Sequence, residues 1–174
     1  MRKILWVCAL SAVATFVHGA AFAQGVPVQP GVTMRAILTG SEETPNAVLT
    51  GAVGTAEVNV DNVNQEIAVT LRVFNLSAPS TASHIHIGGK GLTAPVVIDF
   101  PIPRGVTGDF SLVFRVHDGP AFHARPEIGI VTFADALQAI AGGNGYVNVH
   151  TTANPGGEIR GQLFVADVNT PVYP

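Results

Sequence analysis

Apolar and polar side chains alternate along most of this chain, in short runs broken by glycine and proline. From Gly54 to Val60, Ala56, Val58 and Val60 alternate with Glu57 and Asn59. From Glu66 to Asn75, Ile67, Val69, Leu71 and Val73 alternate with Ala68, Thr70 and Arg72. A period of two predicts strands with one buried face, and the Asp61-Asn62 turn between these two runs predicts a hairpin. Similar runs predict strands at Thr33–Leu38, Ser83–Ile87, Ala94–Phe100, Asp109–Val116, Gly145–Thr151 and Glu158–Ala166. In Asp109–Val116 the inward set is either Phe110, Leu112 and Phe114 or the alternate one. Thr152-Ala153-Asn154-Pro155-Gly156-Gly157 joins the last two runs and carries a strong turn signal.

Two segments depart from this alternation. Residues 117–131 have no regular period and predict a long surface loop. Thr132-Phe133-Ala134-Asp135 has the spacing of a capping box. It predicts a short helix over Ala134–Ala141, stopped by Gly142-Gly143. The sum is an all-β domain: an antiparallel, Greek-key-like β-sandwich or barrel of about 7–9 strands, with one short helix before the penultimate strand.

The amino-terminal segment belongs to a different class. Arg2 and Lys3 precede an apolar run from Ile4 to about Val17, and Ala21-Phe22-Ala23 supplies a small-x-small cleavage pattern. Residues 1–23 therefore read as a cleaved secretory signal, too short in its apolar part to span a bilayer. Residues 24–31 read as an irregular leader, and 169–174 as a carboxy-terminal tail. Cys8, the one cysteine, falls inside the signal, so the exported chain is expected to have no disulfide and to rely on an ordinary core, with or without a metal. The formal net charge of −3 becomes more negative once Arg2 and Lys3 are removed. With no basic patch, this argues against nucleic acid or an anionic membrane as partner, and no membrane span is expected in the mature chain.

Candidate chemistry is concentrated in histidines. His84 and His86, two residues apart in a strand, leave the same face of a sheet, with Ile85 and Ile87 on the other. Gly145–Thr151 repeats the pattern, with Val147 and Val149 inward and Asn148 and His150 outward. If these strands are neighbours, three imidazoles meet on one surface. Imidazole suits copper, zinc, iron and nickel, and without thiolates the usual affinity order favours copper(II) over zinc. Glu43, Asn148 and Glu158 are the expected hydrogen-bond partners of the ligand rings. Arg160 is the cation expected on that face, either steering an anion toward the metal or bridging to Glu158 or Glu43. The competing reading has His84, His86 and His150 simply hydrogen-bonded to loops. His117 and His123 lie in the irregular segment; supplying an extra ligand is the lesser reading, and exposure without a role the expected one. Gly88-Gly89-Lys90-Gly91 lacks the ending of a phosphate loop, and no nucleophile motif is present.

His84-Ile85-His86 with Gly88-Gly89, Ala94-Pro95-Val96-Val97, the Tyr146–Thr151 strand and Pro155-Gly156-Gly157-Glu158-Ile159-Arg160-Gly161-Gln162-Leu163 together resemble the CHRD domain, the repeat named after chordin. The Glu43-Thr44-Pro45 loop and the Thr132–Ala141 segment fit as well. The resemblance assigns about residues 32–168 to that domain and implies an exported protein. The histidine arrangement is also similar to the copper side of Cu,Zn superoxide dismutase, although no Asp-plus-His group matching its zinc half is legible. Two functions follow as expectations. One is a binding or structural module acting on another exported protein or an extracellular matrix. The other is a mononuclear copper protein, with dismutase-type redox chemistry as the less favoured extension.

Overall fold

A computed structural model of the chain describes residues 31–166, so the expected signal, the leader up to residue 30 and the tail lie outside the described residues. Nine strands form one curled antiparallel sheet: β1 (Val32–Thr39), β2 (Val53–Asp61), β3 (Glu66–Leu76), β4 (Ser80–Ile87), β5 (Val96–Asp99), β6 (Gly108–His117), β7 (Gly145–Thr151), β8 (Ile159–Gln162) and β9 (Phe164–Val165). Their spatial order is β5-β4-β7-β8-β1-β2-β3-β6, with β9 also pairing with β1. β1, β2 and β3 form a meander, and β4–β5 is a hairpin. β7 docks on the free side of β4, and β8 links β7 to β1. The expected all-β antiparallel fold is present in its barrel-like form.

The alternation seen in the sequence explains the curl. Met34, Ala36 and Leu38 of β1, Ala56, Val58 and Val60 of β2, and Ile67, Val69, Leu71 and Val73 of β3 all point to the concave side and are buried. Ile85, Val147, Val149 and Ile159 close the core from the other half of the sheet. Removing this apolar surface from water, at about 25 cal/mol per Å2, is what holds the sheet rolled. Of the two expected inward sets of β6, Phe110, Leu112 and Phe114 lie on this side but are only half-buried, because β6 ends the sheet. Phe114 meets Phe100, just beyond β5, edge-on at 4.8 Å, so the two ends of the sheet approach each other.

The helix α1 (Phe133–Ala141) packs Phe133, Ala136, Leu137 and Ile140 into the same core and lies against β1, β2 and β4. Its capping box is complete: the Thr132 side chain accepts from the Asp135 N–H, and the Asp135 carboxylate accepts from the Thr132 N–H.

The expected final strand, Glu158–Ala166, is divided in two. Leu163 leaves the ladder, donates its N–H to the Gly145 carbonyl and buries its side chain. Beyond it the chain switches partner and pairs with Met34 and Arg35 of β1. Gly161 permits the crossing, since a Cβ there would sit 2.3 Å from the Ile37 carbonyl oxygen.

Residues 117–131 are more than a surface loop. The Asp99 N–H donates to Ala121 and the His123 N–H to Val97, while Phe122 bridges to Ile98. The segment thus runs along the outer edge of β5 almost as a further strand.

Candidate metal centre

Register brings the histidines together. In the β4–β7 ladder His84 pairs with Asn148 and His86 with Tyr146, and His150 lies opposite Ala82. All three imidazoles rise from the convex face of two hydrogen-bonded strands, as the alternation predicts. One ligand nitrogen from each ring lies within 4.8 Å of the other two. The His84–His150 pair is tightest, with Nδ1 of His84 3.1 Å from Nε2 of His150.

Hydrogen bonds decide which nitrogens are available. Nδ1 of His86 is 2.8 Å from the Ala94 carbonyl oxygen, and Nδ1 of His150 is 3.0 Å from that of Pro155. A carbonyl only accepts, so each Nδ1 carries the proton and each Nε2 is left with a lone pair. Nε2 of His86 is buried with no hydrogen-bond partner, an exposed cost inside a protein unless something occupies it. His84 Nδ1, 3.1 Å from the Nε2 lone pair of His150, donates a hydrogen bond to it, so His84 must shift its proton to Nε2 before Nδ1 can ligate.

Electrostatics keeps the rings neutral. Burial, reinforced by His150, pushes His84 down to about 4. Burial pushes His86 down to about 4 as well, against the opposing hydrogen bond to Ala94. His150 is also lowered by burial, against the bond to Pro155. Neutral imidazoles converging in a partly dry site form a metal-ready donor set. Bonds of about 2.0–2.1 Å place ligand nitrogens about 3.4 Å apart, so the wider pairs would close and the 3.1 Å His84–His150 pair would open slightly.

The expected supporting residues are placed differently. Glu158 is buried and faces away from the rings. Its carboxylate accepts from the Thr50 and Thr151 hydroxyls and the Ser77 N–H. Burial would raise its pKa, but these three bonds outweigh burial and hold it below the usual value. The reason is local: Glu158 precedes β8 and follows Gly157, whose φ is 131°, so strand alternation does not govern its direction. Glu43 and Asn148 bond each other at 3.5 Å rather than an imidazole. Burial lifts Glu43 to about 7, with Arg160 and Asn148 pulling the other way. The orphaned oxygens Oε1 of Glu43 and Oδ1 of Asn148 are consistent with a carboxyl that holds its proton near neutrality.

Arg160 is not available to steer an anion. It is buried, its guanidinium lies 3.6 Å over the Tyr146 ring, and it donates to the Thr44 hydroxyl. Tyr146 stacks with its other face on His86, the centroids 4.6 Å apart and the planes 6° from parallel. An Arg160–Tyr146–His86 column therefore fixes the plane of one ligand ring. Tyr146, on a non-core alternation, is buried all the same, because this column and the 88–94 loop cover it.

Two residues near the site were not legible as a unit in the sequence. Asp99 ends β5 opposite His84, and Oδ1 lies 3.6 Å from Nε2 of His84. Its Oδ2 lies 2.8 Å from Nε2 of His123. His117, by contrast, meets Glu66 at 3.0 Å, away from the cluster.

Compared with known proteins, the chain matches one family model, the CHRD domain, over residues 34–163. No curated protein and no solved structure matches it.

Proposed function

This chain belongs to the CHRD-domain family, and we propose that it is an exported module whose His84, His86 and His150 hold one metal ion, with copper preferred. The carrying observation is the buried, partnerless Nε2 of His86 in a cluster where one ring nitrogen of each histidine lies within 4.8 Å of the others. Export is supported by the Met1–Ala23 signal pattern.

Each residue has a defined task in this reading. The Ala94 and Pro155 carbonyls fix the tautomers of His86 and His150, so both offer Nε2 without first losing a proton. Tyr146 and Arg160 hold the His86 plane. Copper is preferred over zinc because the donor set is three imidazoles with no thiolate, and divalent affinities for such nitrogen ligands peak at copper. When bound, the ion would supply a positively charged, Lewis-acidic centre held by the three rings.

The test is metal retention. The mature protein is loaded with copper(II), dialysed and assayed beside a His84→Ala, His86→Ala double variant of matched circular dichroism. Native protein is expected to keep at least one copper per chain and the variant none. Equal, negligible retention by both would leave an exported protein-interaction module as the surviving reading.

A further inference from the structure

The two edges of the sheet differ. The edge at β5 is occupied by residues 121–123, whose backbone pairs with it. The edge at β6 is open. β6 is the last strand in the spatial order and its ladder runs to β3 alone. Among the described residues no backbone-to-backbone hydrogen bond leaves Asp109–His117 on the other side. Edge strands are ordinarily blunted by proline, lysine or a bulge along their length. β6 is 10 residues long with neither proline nor lysine, and its one irregularity of pairing falls between Gly108 and Phe110. We propose that β6 is the dimerisation strand of this protein, pairing antiparallel with β6 of a second copy about a twofold axis through Leu112.

Charge selects both the second copy and the register. Asp109 and Arg115 are placed symmetrically about Leu112 and are both exposed on the convex face. Antiparallel pairing about Leu112 sets Asp109 opposite the partner's Arg115, and the twofold axis repeats the pair at the other end. Residues directly opposite in antiparallel strands have Cβ atoms about 4.5–5.5 Å apart, and opposite charges there favour the pairing. Each side chain has capacity left for it. Arg115 donates to Glu66 through Nη1 alone, and its side chain is 66% exposed. Asp109 accepts the Asn75 N–H at Oδ1 and keeps Oδ2. A shift of the axis by one residue sets Arg115 against the partner's Ser111 or Thr107 instead.

The same axis matches the apolar row. Phe110, Leu112 and Phe114 are only half-covered in one chain. The pairing sets Phe110 beside the partner's Phe114 at both ends and Leu112 beside its own copy, the cross-strand contacts that stabilise a sheet. Val113, 74% exposed on the other face, meets the partner's Ser111. Gly108 falls opposite the partner's Val116, beside the cleft that Phe100, Pro101 and Pro120 line, so the pairing adds no side chain at that end. Each copy contributes the same edge and has its other edge occupied, so the pair closes on itself. None of these residues belongs to the histidine cluster, and the dimer stands or falls independently of the metal.

Sedimentation equilibrium of the metal-free mature chain over a wide range of concentration is expected to show reversible monomer–dimer exchange. Asp109→Arg and Arg115→Asp each set like charges opposite one another and should weaken the dimer by about tenfold or more. The double variant Asp109→Arg, Arg115→Asp swaps the charges and should restore it, with folding of all three checked by circular dichroism. Both residues also hold neighbours within their own chain, so a cysteine at the axis gives a second reading. The one native cysteine, Cys8, lies in the expected signal. Oxidised glutathione should therefore link Leu112→Cys to its own copy, since opposite positions in antiparallel strands are within disulfide reach. Thr55→Cys, exposed on β2, should stay unlinked. A chain that remains monomeric at every concentration overturns the proposal. So does a dimer that ignores both charge reversals and leaves Leu112→Cys unlinked, because its contact then lies elsewhere.

Discussion

At the scale of single residues, the site is governed by which form of each side chain the fold accepts. The folded pKa of His84 and His86, about 4, lies below the ordinary 6.5. Their contribution to stability is therefore present above about pH 6.5 and lost as pH falls toward 4. The same depression shields the donor set from protons. Two ordinary imidazoles would each lose about 30-fold in availability at pH 5, whereas these two should lose almost none. Copper affinity measured by competition titration should therefore weaken far less than about 1,000-fold between pH 7 and pH 5. Glu43 has the opposite sign. Its folded pKa, about 7, lies above the ordinary 4.5, so its contribution is present at low pH and lost as pH rises through 7. Glu43→Gln should stabilise the protein at pH 8, by on the order of 1–3 kcal/mol, and do little at pH 5. Paired thermal melts check this. The three histidines were legible because strand alternation alone sets their common face. Glu158 was misjudged because it stands just outside a strand, where alternation has no authority. Asp99 and His123 were illegible as a pair because their meeting depends on the non-local pairing of residues 121–123 along β5.

At the scale of elements, nearly every strand and the helix follow from period and caps. The exceptions occur where tertiary contact overrides local pattern. Leu163 breaks an otherwise continuous strand because its side chain has a place in the core and Gly145 offers a carbonyl. The crossing from β7 to β1 depends on Gly161. In Gly161→Ala the new methyl would meet the backbone of Ile37, which cannot rotate away as a side chain would. The expected cost is about 1–3 kcal/mol, read as a lower denaturation midpoint with an unchanged slope. Copper affinity per folded molecule should change little, because none of the three ligands sits on β1 or β8.

At the scale of the whole molecule, period-two runs and turns pointed to an antiparallel sandwich or barrel, but strand order was beyond them. The placement of β7 between β4 and β8 is non-local, and it is this placement that assembles the site. Because β4 and β7 are far apart in sequence and meet only in the folded sheet, a metal held by both strands would tie its binding to global stability. If copper binds only the folded chain, a free concentration of 100 times the dissociation constant should add about 2.7 kcal/mol. Differential scanning calorimetry should then show a rise of several degrees in the native protein, absent in the His84→Ala, His86→Ala variant.

The backbone run at 121–123 has one further consequence. An open sheet ordinarily offers its last strand as a template on which a neighbouring molecule can grow, the first step toward fibres. Here the rim of β5 is already taken by the chain's own hydrogen bonds, so growth from that edge is blocked. Cutting this segment short should reopen it, seen as rising light scattering from a protein whose core is untouched.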